Sequence, residues 1–350
     1  MTDNAAAAAA MAPVDPRRRR LMLAASFGAC LAAWPSARLR AQDLRLRASR
    51  HMMGTVVDIA VAGGDADLLR SAQAAAFERM AALVAMMSHY EPTSRVAAIN
   101  LAAGLQPVAI EPELMQVLAM AQRMSRRSGG AFDVTVGSVG RWHFDPRDPV
   151  MPPAGYIAAH LADVDWRQLQ LDERAGTAYL ARRGMRIDPG GIAKLAILDA
   201  GLQTLKRHGV TQALINGGGD VVATSGGAQR PWRVGIRDPR EPSRLLAAID
   251  VREGFVASSG DYERCFVRGG RRYHHVLDPK TGYPAQGPHG VTLVGTELAA
   301  VNGLGAAAMV LPAREAHGLI GQTRGVQALI AGRDNGLWIT AGLRERLQPA

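Results

Sequence analysis

Past residue 176 the chain breaks into short β-type runs, and nothing else in it constrains the fold as much. "TAYLARRGMRID" (177–188), "ALINGG" (213–218), "DVVATSG" (220–226), "WRVGIRD" (232–238), "LLAAIDV" (245–251), "GFVASSG" (254–260), "RYHHVLD" (272–278) and "VTLVG" (291–295) are apolar or alternating, and Gly, Pro and Asp divide them. Two helical patterns interrupt the series, near 192–208 and 297–310. Upstream, "HMMGTVVDIAVAG" (51–63) alternates like a strand and ends in a Gly-Gly turn. The stretch from Asp65 to Tyr90 has helical periodicity with Asp65 or Asp67 as cap, and 111–130 reads as a second helix with Pro112 in its first turn and Gly129 as its stop. The segment 141–165, rich in Pro and Asp, predicts a surface excursion. Strand runs with a few packed helices specify an α+β class: one large domain over 42–350 with a mixed or antiparallel sheet and several helices against it. At 350 residues the chain is long enough for a sizeable core.

Residues 1–41 are a separate object. Four arginines (17–20) precede an apolar stretch from Leu21 to Trp34, and small residues follow before Ala41, the layout of an export signal. The stretch is too short to span a bilayer comfortably. Arg18 and Arg19 ahead of Leu21 and Met22 are similar to a twin-arginine signal, which predicts a periplasmic protein. Two other readings stay open: lipidation at Cys30, and a leader left uncleaved as a membrane anchor.

The leader holds six arginines and two aspartates, a net +4, so the remainder carries +6 of the total +10. That excess is modest, and no lysine-rich run or interleaving of basic and aromatic residues supports nucleic-acid binding. A small anionic ligand is the better use of local cations. With Cys30 in the leader, Cys265 is left without a disulfide partner and reads as packing, not as a nucleophile. No metal-type Cys and His spacing appears.

Four stretches carry candidate chemistry. "RIDPGGIAK" (186–194) runs from a strand end through Asp188 to two glycines and a helix start. Free N–H groups and a positive helix end meet there, with Lys194 in the first turn, a setting that receives phosphates. The same stretch also reads as a tight strand-to-helix turn capped by Asp188. "INGGGD" (215–220) reads as a hairpin or bulge, or beside the first cluster as the floor of a nucleotide pocket. "GGAFDVTVG" (129–137) sets Phe132 beside Asp133, a pair suited to a base or ribose, or to packing and capping. In "RYHHVLD", His274 and His275 occupy consecutive strand positions, so their rings face opposite sides and only one can enter a pocket as a general base.

Taken in order, "MGT" (53–55), "MSHYEPTS" (87–94), "GGAFDVTVG", "IDPGGIAK" (187–194), "INGGGD", "WRVGIRDP" (232–239), "SSGDY" (258–262) and "YHHVLDPKTGYP" (273–284) resemble the ApbE family of FAD:protein FMN transferases. The resemblance implies an ApbE-like fold and an exported enzyme that takes FAD as substrate. It moves the FMN half to a Thr or Ser hydroxyl of an acceptor flavoprotein and releases AMP. It also implies that Met53 and Tyr90 contact the flavin nucleotide, that Ala131, Phe132 and Asp133 line its loop, and that Asp188 and Lys194 hold ribose and phosphates. Val276 would touch FAD, and His275 matches the family's histidine, the expected base or activator of the acceptor hydroxyl. Mg²⁺ is implied as the neutraliser of pyrophosphate charge.

Two departures follow from the same resemblance. The metal positions are Gly191, through its carbonyl, Asn302 and Ala306, where the family usually has Asp and Thr at the last two; an anionic ligand and a hydroxyl are gone, so the Mg²⁺ site is weakened. Leu195 stands where glycine is usual and is expected to crowd the helix start. Two other readings stand beside the transferase: an FAD-binding carrier or assembly protein with weakened catalysis, and an FAD pyrophosphatase.

Overall fold

Eight antiparallel strands cross the main sheet in the order in which they occur in the chain. They are β1 (Leu44–Met52), β2 (Thr55–Gly63), β3 (Gln212–Gly217), β4 (Asp220–Ser225), β5 (Glu253–Gly260), β6 (Gly290–Gly295), β7 (Gln327–Ala331) and β8 (Leu337–Ile339). The computed structural model describes residues 44–227 and 229–350, so the export segment expected over 1–41 lies outside the described residues. Every ladder of this sheet is antiparallel; among the described residues the one parallel contact is the isolated bridge Val136↔Arg186.

The interior strands are apolar at nearly every position because the sheet is covered on both faces. Consecutive residues fall into different cores: Phe255, Leu293 and Ala328 belong to one, while their neighbours Val256, Val294 and Leu329 belong to the other. This is the period-2 geometry of a pleated strand. The first core lies under helices α1 (Ala66–Met87), α2 (Pro112–Arg127) and α3 (Ala193–Arg207). The second lies under a three-stranded sheet made by Trp232–Arg237, Leu245–Val251 and Leu347–Gln348.

Local chemistry explains the helix ends. The Asp65 carboxylate accepts from the N–H groups of Asp67 and Leu68 and starts α1, whose Leu69, Ala72, Ala76, Met80, Leu83 and Met87 form its buried stripe. On α3, Leu198, Leu202 and Leu205 are buried against the same core; each such side chain contributes about 1.5–3 kcal/mol.

Two expectations are corrected and a third is refined. The run 51–63 is not one strand but the end of β1, a two-residue turn at Met53 and Gly54, and β2; Met53 itself has φ 55°, a conformation nothing in a methionine advertises. The helix expected over 297–310 is two helices, α4 (Leu298–Val301) and α5 (Leu304–Val310), split at Asn302 and at Gly303, whose φ is 78°. The segment 141–165 does run over the surface, most of it exposed or half-buried, but it is anchored by a few buried side chains. Its Trp142 and Ile157 are buried with Val139 and Phe266 in a third, aromatic cluster, and Trp142 packs with Phe144, Tyr273 and Tyr283.

Candidate active site

One end of the sheet collects the sequence motifs. The β1–β2 turn and the β3–β4 turn at Gly218 and Gly219 sit side by side: a methyl on Gly218 would stand 2.7 Å from the Thr55 hydroxyl. At this end Asp220 Oδ1 accepts from the Ser258 N–H (2.9 Å), and Oδ2 lies 2.7 Å from the Lys194 ammonium at the start of α3. "INGGGD" is therefore a hairpin turn, and it also floors the region to which Lys194 belongs.

The turn before α3 is tied into the loop 129–137. The Asp188 N–H donates to the Val134 carbonyl (2.7 Å), and the Asp188 carboxylate accepts from Gly190 N–H (2.8 Å) and lies 3.1 Å from His89 Nδ1. Burial works against the Asp188 charge, but the His89 contact, its charge and the Gly190 amide outweigh it and hold the carboxyl below its ordinary value. The turn reading of Asp188 is thus realised, since it caps the 3-10 turn Pro189–Gly191. Gly191 is required to be small for a packing reason, because its absent Cβ would stand 3.1 Å from the Phe132 ring.

Phe132 and Ala131 are buried. Both Asp133 oxygens are used inside the fold, Oδ1 by the Thr135 N–H and hydroxyl (2.8 and 2.7 Å) and Oδ2 by the Trp166 N–H (3.0 Å). Asp133 therefore shapes the loop. Burial raises the Asp133 pKa against those hydrogen bonds. Tyr90 is 69% exposed and stands against His89, ring centroids 3.8 Å apart, which joins the "MSHYEPTS" segment to Asp188.

The two histidines part company, although only His274 lies in a strand. His274 is 1% exposed, with Nε2 2.9 Å from the Ala285 carbonyl. His275 lies just past the hairpin strand Arg271–His274, and its side is open to solvent. Desolvation by nearby protein, followed by the positive charges of Arg264 and Lys194, pushes its pKa down to about 3. Solvent access tempers the desolvation, but the cations act in the same direction, so the ring is neutral at pH 7 with a free lone pair. Its backbone N–H donates to the Arg264 carbonyl (3.1 Å), and the Val276 carbonyl accepts from Ala285 (2.9 Å) with the Val276 side chain against the main core.

Gly191, Asn302 and Ala306 do meet. The Ala306 methyl is 3.7 Å from the point where a Gly191 Cβ would stand, and Asn302, 4% exposed, donates from Nδ2 to the Ile192 carbonyl (2.8 Å). They do not share one helical face, since α4 ends at Val301 and Asn302 lies just past it with extended backbone. The donor set is a backbone carbonyl, a neutral amide whose nitrogen is held by Ile192, and a methyl; it carries no negative charge and does not fit a magnesium ion. Among the described residues no group of three or more His, Cys, Asp or Glu side chains is placed to hold a metal. Leu195 does not crowd the site; it is buried in the main core.

The sequence reading missed His89, Asp220, Glu263 and Arg264, all within or beside the quoted motifs. Glu263 is raised by burial, relieved in part by Lys194, and beside it burial pushes the Tyr262 phenol up to about 12. A hollow of about 460 Å³ lined by Asp261, Arg271, Arg272, His289 and Arg333 involves none of the residues singled out from the sequence.

Comparison with known proteins agrees with this arrangement. A model described as the ApbE family matches residues 53–330. An FAD:protein FMN transferase of Treponema pallidum (strain Nichols) is 34% identical over 282 residues, covering 75% of this chain and 77% of its own length. One from Klebsiella pneumoniae (strain 342) is 33% identical over 207 residues, 58% of this chain and 64% of the relative. The crystal structure of the ApbE protein from Thermotoga maritima superposes with a TM-score of 0.78 at 27% identity, over 87% of this chain and 99% of that one. With the matched region spanning every turn that converges on His275, the chain belongs to the ApbE family.

Proposed function

We propose that the chain is an FAD:protein FMN transferase. The observation that carries this reading is the gathering at one sheet end of a neutral, solvent-reachable His275 with the Asp188 turn, the α3 start and Lys194. FAD would lie along these turns with Met53, Tyr90 and Val276 beside it and the loop 131–133 behind. A Thr or Ser hydroxyl of an acceptor flavoprotein gives its proton to His275 as its oxygen bonds the FMN-side phosphorus. The P–O bond to AMP breaks, and AMP departs with the bonding pair. Because Gly191, Asn302 and Ala306 offer no anion, no step here runs through magnesium. The same neutrality favours a second reading, an FAD-binding carrier in which transfer is slow.

Incubation with FAD and an acceptor flavoprotein, read by mass, separates the two. An FMN adduct on the acceptor with stoichiometric AMP supports transfer; FAD bound and unchanged supports the carrier; free FMN without adduct supports pyrophosphatase activity and removes both. The leader supports export to the periplasm, with membrane attachment if it is retained; fractionation of cells expressing the full chain, with and without residues 17–20, tests this.

A further inference from the structure

A diphosphate brings negative charge to this end of the sheet, and the residues gathered there must answer it. The Gly191, Asn302 and Ala306 positions contribute none of the positive charge needed. Lys194 is held at 2.7 Å by the Asp220 carboxylate, and Glu263 also acts on it. His89 is engaged with Asp188. Arg264 differs from these. Its side chain is exposed, and among the described residues no carboxylate oxygen pairs with its guanidinium.

The guanidinium is nevertheless held in place. Nη2 donates to the Met53 carbonyl at 2.7 Å, and the same nitrogen lies 2.6 Å from where a Cβ on Gly54 would stand, so the turn has to be glycine for the arginine to reach it. At the other end of the residue, the Arg264 carbonyl accepts the His275 N–H at 3.1 Å. Arg264 therefore bridges the β1–β2 turn and the segment carrying His275. One of its five N–H donors is used, and the rest of the planar fork is free.

We propose that Arg264 grips the diphosphate of FAD, its free guanidinium donors taking phosphoryl oxygens beside the His275 imidazole. The inference rests on the FMN-transfer reading and names the cation of that site. Charge grows on the departing AMP phosphate as its P–O bond breaks, and a fixed guanidinium is suited to hold it without reorganising. A lysine at this place would keep the charge and lose the fork.

The test is direct binding of FAD, and of riboflavin, which lacks both phosphates, to the purified protein and to Arg264→Gln and Arg264→Lys. Expected are a Kd for FAD raised at least tenfold in Arg264→Gln, a smaller rise in Arg264→Lys, riboflavin binding unchanged, and thermal midpoints within a degree or two of the parent. FAD binding by Arg264→Gln as tight as the parent's overturns the inference. So does a parallel loss of FAD and riboflavin, the mark of a collapsed turn. If the parent itself binds no FAD, the transferase reading falls as well, which distinguishes the two failures.

Discussion

His274 and His275 adjoin in the chain and have opposite surroundings. The His274 ring is enclosed, Nε2 donating to Ala285 and Nδ1 buried without a partner, so a proton on Nδ1 would place a charge in the interior. Burial accordingly holds its pKa below the ordinary 6.5. The unfolded chain then takes up a proton that the folded chain refuses, and stability falls as pH drops below about 6.5. The urea midpoint is expected to be lower at about pH 5.5 than at about pH 7.5. In His274→Gln, whose amide can still donate to Ala285, the drop shrinks without vanishing, because His275 acts with the same sign. An undiminished drop in that variant contradicts the assignment. Asn302 offers a second test. Its Nδ2 donates to Ile192, and an aspartate there would set oxygen against oxygen, so Asn302→Asp should cost about 1–3 kcal/mol in urea unfolding without metal. Added Mg²⁺ is expected to bind this variant more tightly than the parent and recover part of the loss; equal stability of variant and parent in EDTA contradicts the placement. Residue types at these positions were readable from the motifs. Their partners were not, because Arg264 meets Met53 and Asn302 meets Ile192 across more than a hundred residues of chain.

Among the elements, the break between α4 and α5 matters most to the site. The run "AAVNGLGAAAM" keeps apolar residues at helical spacing straight through position 303, which is why it reads as continuous. The Asn-Gly pair within it is the turn signal that outweighs the spacing. With φ at 78°, Gly303 turns the chain so that Asn302 points to Ile192 instead of lying above Ala306. Gly303→Ala should cost about 1–2 kcal/mol for the left-handed backbone alone. More should be lost because the new methyl would press on Met124 (3.2 Å) and Ile192 (3.4 Å). Unchanged stability by urea unfolding would mean that one continuous helix is available to the segment. The β1–β2 turn was hidden for the converse reason, since it puts an ordinary methionine in the region that glycine favours.

Across the whole molecule, the class and the interior strands were legible because both faces of the sheet are covered there and those strands are therefore apolar; the edge strand β1, with its arginines, was read only from His51 onward. Pairing order and the third cluster were not legible, since they depend on contacts between distant segments. That cluster has a functional bearing: Phe266, stacked on Tyr273 at 5.2 Å, belongs to the hairpin Cys265–Arg268 and Arg271–His274 that holds Arg264 and His275 at its two ends. In Phe266→Ala, hydrogen exchange is expected to quicken in this hairpin while β3 to β6 keep their protection. Uniform quickening would show that the cluster is part of the main core. The order of the sheet also sets a timetable for synthesis. β2 pairs with β3, yet about 150 residues separate them, an interval of roughly 7–30 s at typical translation rates of about 5–20 residues per second. Throughout that interval the β1–β2 pair has an unpaired edge, open to any strand that meets it before its neighbour has been made.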